Sequence, residues 1–194
     1  LGWWALDTTN ANSWSGATDK VLGRSKADVT FVQETRLKDK EAVDSAKKRA
    51  RSMLWSSCHN EAECTAAGKA SGGCAVAARR GIGISDERSI RTADGTTHRF
   101  CHAWVNGVMR GGIHCLSVYC KDLIGPTGQN LKLLEELAAI IKTINGPWVV
   151  AGDWNMTPEA LSSTEWLKIV NGVVIATQLP TCNGSTYDFF VVSH

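Results

Sequence analysis

Four apolar residues, Trp148-Val149-Val150-Ala151, lead into Gly152 and then Asp153-Trp154-Asn155, and Pro158 follows shortly after. A run that is short, continuously apolar and bounded by Gly and Pro reads as a strand covered on both faces. Side chains alternate along a strand, so Asp153 and Asn155 point to one side and Trp154 to the other, with Pro158 stopping regular continuation. A carboxylate and a carboxamide then stand together at a strand end. Such a pair can accept a proton, orient a water and hydrogen-bond a phosphate or transition-state oxygen. Taken alone, Asp-x-Asn is more often a turn whose side chains cap the loop backbone, so its meaning depends on the rest of the chain.

The remaining sequence excludes several classes. With 194 residues, 43% hydrophobic and 21% charged, the chain suits one globular domain, residues 1–194, with a sizeable core. No apolar run approaches the roughly 20 residues of a membrane span; the longest, residues 134–144, is broken by Glu135, Glu136 and Lys142. A net charge of +2 gives little overall attraction to nucleic acid, so any polyanion contact requires a local patch. The seven cysteines include no Cys-x-x-Cys pair, which argues against a zinc site, and a chain long enough to build a core argues against a disulfide framework. They read as reduced, mostly buried thiols of an intracellular protein, nuclear or cytoplasmic. The chain starts at Leu1 and shows no targeting segment, and it reads as a fragment.

Along the chain, Trp3-Trp4-Ala5-Leu6 opens a strand that ends in polar Asn10 and Asn12, and Ser15 caps a short helix. Val29–Val32 is a strand delivering Glu34. Residues 38–54 form a solvent-facing helix whose Lys47-Lys48-Arg49-Arg51 cluster is a solvated face. Residues 58–73 read as a loop carrying His59, residues 74–78 as a strand, and Arg79-Arg80-Gly81 as a turn. Residues 99–105 and 112–119 pair as strands across an Asn106-Gly107 hairpin signal. Residues 127–144 form the clearest helix, with Leu131, Leu134, Leu137, Ala138 and Ile141 at helical spacing and Asn145-Gly146 ending it. A short helix around residues 159–166 and strands at 173–176 and 186–192 complete the chain. Helices between strands of mixed order indicate layered α/β structure around two sheets.

Strand ends thus deliver Asn10, Glu34, Asp153, Asn155 and Asp188, the positions where α/β sheets build sites. These segments resemble the motifs of the endonuclease/exonuclease/phosphatase superfamily. Asn10-Ala11-Asn12 is similar to its first motif, and Val29 to Thr35, ending in Gln-Glu-Thr, to its second. Ser117-Val118-Tyr119 is similar to the strand with an active-site tyrosine, Gly152-Asp153-Trp154-Asn155 to its Gly-Asp-x-Asn motif, and Tyr187-Asp188-Phe189 to the strand whose Asp precedes the final motif.

The resemblance implies an α/β fold, a four-layered α/β/β/α sandwich of two mixed sheets flanked by helices. It implies hydrolysis of phosphate esters with a divalent metal, Mg2+ or Mn2+. By analogy Glu34 is the metal ligand, helped by Asn10 and Asn12; Asp153 activates water; Asn155 and Tyr119 address the phosphate; Thr181 lies near it. Arg36 and Arg99, with Arg79, Arg80 and Arg110, are the basic candidates for a nucleic-acid backbone. Mg2+ prefers hard oxygen ligands and keeps several waters, so one or two side chains suffice.

One departure stands out. The family closes with an Asp-His motif whose histidine is oriented by the Asp matching Asp188, whereas this chain ends at Val192-Ser193-His194. The final strand and the histidine are therefore expected to be missing, and His98, His102 and His114 read as structural. The wording of the motifs most resembles apurinic/apyrimidinic endonucleases and the endonuclease domains of non-LTR retroelements. The expected activity is metal-dependent phosphodiester hydrolysis on nucleic acid, with DNA the expected polymer. A phosphatase or phosphodiesterase of a small or lipid substrate, and an inactive remnant, are the alternatives.

Overall fold

Residues Trp148–Asp153 form a strand with all six residues buried, and its two faces meet different layers. Val150 packs with Leu116, Leu134 and Trp166, while Val149 and Ala151 pack with Phe31, Val76 and Cys101. The computed structural model describes residues 3–65, 68–87, 98–182 and 184–194. In chain order the elements are β1 (Leu6–Asn10), α1 (Trp14–Gly16) running into a π-helical segment (Ala17–Leu22), β2 (Val29–Gln33), α2 (Lys40–Ser52) and β3 (Trp55–Asn60). Next come β4 (Glu63–Cys64), β5 (Ala70–Ser71), β6 (Cys74–Arg79), β7 (Ile84–Asp86), β8 (Phe100–Val105) and β9 (Ile113–Tyr119). The chain continues through α3 (Gly128–Ile141), β10 (Trp148–Asp153), α4 (Pro158–Ser162), α5 (Trp166–Val170), β11 (Gly172–Ile175) and β12 (Asp188–Ser193).

A four-stranded sheet has the order β1-β2-β6-β3 and a six-stranded sheet the order β11-β12-β10-β9-β8-β7. Each mixes one parallel pair, β1 with β2 and β9 with β10, with antiparallel neighbours. Three apolar layers hold these together. One lies between the larger sheet and α3 to α5, one between the sheets, and one between the smaller sheet and α1 and α2. This is the expected α/β/β/α sandwich. Gly152 lets β9 and β10 approach, since a Cβ there would run into the carbonyl oxygen of Val118. No described helix is long and apolar enough to cross a membrane.

Several local expectations are corrected. Residues 58–73 are not a loop: β3 and the small β4–β5 pair lie in this region, and His59 is a buried strand residue. The helix after β1 is capped by Ser13, whose Oγ accepts from Gly16 N, and not by Ser15. Asn106-Gly107 does join paired strands, but the connection runs on to Gly112, with Gly111 and Gly112 at φ 88° and 74°. Leu131 lies off the apolar stripe of α3, 43% exposed, and Leu133 and Ile140 take its place in the core. Pro158 opens α4, where its missing N–H costs nothing, behind a Thr157 cap. Instead of one short helix around residues 159–166, two are present, α4 and α5.

Candidate active site

β1, β2, β9 and β10 all end at one rim. Asn10 closes β1, and its Nδ2 donates to Asp153 Oδ2 at 2.9 Å while its Oδ1 accepts from Asn12 N at 3.0 Å. Glu34 follows β2 at φ 53°, a left-handed turn held by Thr35 N and Arg36 N donating to the carbonyls of Gly73 and Gly72. Tyr119, the last residue of β9, donates from Oη to Glu34 Oε1 at 2.9 Å, and Arg36 Nη2 lies 3.6 Å from the same oxygen. Asp153 ends β10, and Asn155 turns away at φ 47°, its N donating to Asp153 Oδ1 and its Nδ2 to the Cys120 carbonyl. Trp154 points the other way, fully buried and stacked on Phe189. Non-glycine residues in the left-handed region carry strain that concentrates at functional sites, and here Asn12, Glu34 and Asn155 share one rim.

Asp188 opens β12 directly opposite Asp153 in the antiparallel ladder. Like charges so placed repel. Burial foremost pushes the Asp153 carboxyl up to about 6, against the Asn10 hydrogen bond, and the charges of Asp188 and Glu34 add to the rise. Asp188 is also raised by burial, opposed by the Thr181 hydroxyl. Burial, then the bond to Glu34, raises Tyr119. Asn10, Asn12, Glu34, Asp153, Asn155 and Asp188 all line one cleft of about 620 Å³, completed by Thr8, Thr9, Thr181, Cys182 and Tyr187, with no Lys or Arg among its described lining residues. Arg36 offsets one of the three acids, and the remaining negative charge makes the cleft attract a cation.

The donors suit a hard divalent cation. They are carboxylate and carboxamide oxygens, and no cluster of three or more His, Cys, Asp or Glu that could hold a metal exists among the described residues. A set of carboxylate and carboxamide oxygens fits a hard divalent cation that keeps part of its water.

A family model, Endonuclease/Exonuclease/phosphatase family, matches residues 8–194. The chain belongs to this family. A search of curated proteins finds no match. Among solved structures, the AP endonuclease LMAP from Leishmania major is similar at TM-score 0.65 and 14% identity, over 98% of this chain and 79% of that one. An endonuclease/exonuclease/phosphatase family protein from Leptotrichia buccalis gives 0.65 and 13%, over 99% and 88%. ANGEL2, a 2',3'-cyclic phosphatase, gives 0.63 and 12%, over 98% and 84%. At these identities the likeness establishes the family's fold for this chain.

Not every expected residue converges. Thr181 lines the cleft, but its Oγ1 accepts from Tyr187 N and Asp188 N. Arg99 places its guanidinium 5.2 Å from the Tyr119 ring centroid, beside the site rather than lining it. Arg79, Arg80 and Arg110 are at the other end of the strands. Arg79 stacks on Trp55 and bonds the Ser25 and Ala27 carbonyls. His102 and His114 share a 3.0 Å hydrogen bond, and His194 lies past the far end of β12 from Asp188. Sequence reading missed Thr8, Gln33 and Ser117 as polar members of the site's surroundings, because buried and exposed polar residues look alike in a strand pattern.

Proposed function

We propose that this chain hydrolyses phosphodiester bonds of nucleic acid, DNA in the first instance, with Mg2+ or Mn2+. The observation that carries this reading is the pair of hydrogen bonds across the sheet boundary, Asn10 to Asp153 and Tyr119 to Glu34, which bring a metal-binding half and a water-activating half to one cleft. Glu34, with Asn10 and Asn12, would hold the metal. Bound there, the cation supplies Lewis-acid stabilisation of the charge developing on phosphorus. Asp153 is the base: its two oxygens are oriented by Asn10 and Asn155, and a carboxyl near 6 is ionised at neutral pH yet a better proton acceptor than an exposed aspartate. Asn155, anchored on Cys120, presents the rest of its carboxamide to a phosphate oxygen. Tyr119 acts through Glu34 in this geometry, with its hydroxyl turned to the carboxylate. Arg36 and Arg99 flank the rim as contacts for the polymer backbone.

A second reading, a phosphatase of a small phosphate ester, has support from the likeness to ANGEL2, about as strong as that to the AP endonuclease. Nicking of supercoiled plasmid in Mg2+ and in chelator, by the chain and by Glu34→Ala, tests the first. Nicking is expected only for the unaltered chain with metal. Nicking that survives Glu34→Ala overturns the ligand assignment. Phosphate release from 2',3'-cyclic nucleotides without nicking replaces the first reading with the second, and a folded chain that turns over neither substrate is inactive.

A further inference from the structure

The halves of the site ride on different sheets, so the relative placement of the sheets sets the site. Beneath the cleft lies a buried polar layer that the roles above leave unused. Gln33 and Ser117 are both 0% exposed. Gln33 Nε2 donates to Ser117 Oγ at 2.9 Å, and Ser117 Oγ donates to the Val32 carbonyl at 3.1 Å. Gln33 Oε1 accepts from Thr8 Oγ1 at 3.3 Å. The chain of bonds runs from β1 through β2 into β9, from one sheet to the other.

Its position follows from the two-residue period of strands. Thr8 stands two residues before Asn10, Ser117 two before Tyr119, and Ala151, the ladder partner of Ser117, two before Asp153. Gln33 directly precedes Glu34. Asn10, Tyr119 and Asp153 therefore stand over this layer or its ladder partner, and Glu34 is the next residue along the chain from Gln33. The chain is also directional. Ser117 spends its hydrogen on Val32, so it accepts from Gln33, whose NH2 faces Ser117 and whose oxygen faces Thr8. A carboxylate could not donate here, and a thioether could not donate and accepts only weakly. An apolar pair would fill this space without desolvating an amide, which points to a use beyond stability.

We propose that Gln33 and Ser117 are positioning residues: their hydrogen bond fixes the sheets so that Glu34 and Asp153 face the same metal and phosphate. This rests on the function proposed above and adds the pair that sets its geometry.

The test compares Gln33→Met, Ser117→Ala and the double variant. Each single change leaves a buried partner unpaired and lowers the melting temperature. The double change removes both side-chain partners and restores most of it, since Thr8 lines the cleft and can turn to water and Val32, which loses the Ser117 donor, sits in a strand paired on both sides. If the pair only stabilises the fold, function returns with the melting temperature. Positioning predicts a double variant that melts close to wild type but keeps kcat reduced about tenfold or more at little-changed KM. Because Tyr119 of the other sheet holds Glu34, the same variant binds Mn2+, titrated by electron spin resonance without substrate, about tenfold more weakly. Recovery of kcat and of Mn2+ affinity overturns the proposal. Absence of turnover by wild type overturns the proposed function instead, and the Mn2+ titration still decides the positioning role. Gln33→Leu with Ser117→Val fills the same space and is read the same way if the first double variant does not fold.

Discussion

The Tyr119 hydroxyl donates to Glu34 Oε1 at 2.9 Å, binding the end of β9 in one sheet to the residue that follows β2 in the other. Removing this hydrogen bond leaves Glu34 to the looser 3.6 Å approach of Arg36 Nη2. Tyr119→Phe is expected to weaken Mg2+ dependence or turnover by about 10- to 100-fold, the usual effect of losing a partner of a metal ligand, at nearly unchanged melting temperature. Wild-type Mg2+ dependence in this variant would show that Glu34 is oriented by other contacts.

Asp153 opposes folding wherever it is ionised. Its carboxyl is raised from 3.8 to about 6, so between those values the folded chain holds a proton that the unfolded chain has released. Stability from this group is therefore lost as pH rises through that window. Asp153→Asn removes the titration but also sets an NH2 against one of the donors Asn10 Nδ2 and Asn155 N, so the informative quantity is the slope: in chelator the variant is expected to lose less stability than wild type between about pH 4 and about pH 6, with activity abolished. The same slope in both proteins, read from urea melts, would contradict the burial account of this carboxyl.

Two histidines act in the other direction. Burial lowers His59 from 6.5 to about 3, with Lys47 adding to it, and lowers His102 to about 4, with His114 adding to it. Both stay neutral in the fold, so stability is full above 6.5 and declines as pH falls toward the folded values. Between about pH 7.5 and about pH 4.5, each should contribute a loss on the order of 2 kcal/mol. His59→Leu should flatten the decline by its share, which separates it from the opposite contribution of Asp153. An unchanged slope in urea melts at the two pH values would rule this out.

Gly152→Ala drives a methyl group into the Val118 carbonyl oxygen. The strands cannot separate without breaking their parallel ladder, so a loss of about 3 kcal/mol is expected, with poor expression. Chemical denaturation measures it; a fully stable variant would mean that β9 and β10 can slide apart freely.

What sequence pattern revealed, and what it hid, follows from burial. Val149 and Val150 lie in an unbroken apolar run, so β10 and the acid at its end were legible, as was β2 ahead of Glu34. The polar residues of Trp55–Asn60 concealed β3: Ser57 and His59 Nε2 share a 2.9 Å hydrogen bond, and the strand is buried without an alternating pattern. The acids of the site stood out because they interrupt apolar strands. Gln33 and Ser117 lay within the matched motifs, but their bond to each other was hidden, because they are 84 positions apart in sequence and only the stacking of two sheets joins them. Arg79 looked like a free cation and is held by an indole ring and two carbonyls.

The placement of Asn10 and Glu34 on one sheet and of Asp153 and Tyr119 on the other has a practical consequence. A molecule gripped from both sides becomes a rivet through the fold, and its binding energy adds to the cohesion of the sandwich. Heating the chain with a panel of phosphate esters would then rank them by how far each delays melting, which would reveal the preferred ligand before any turnover is seen.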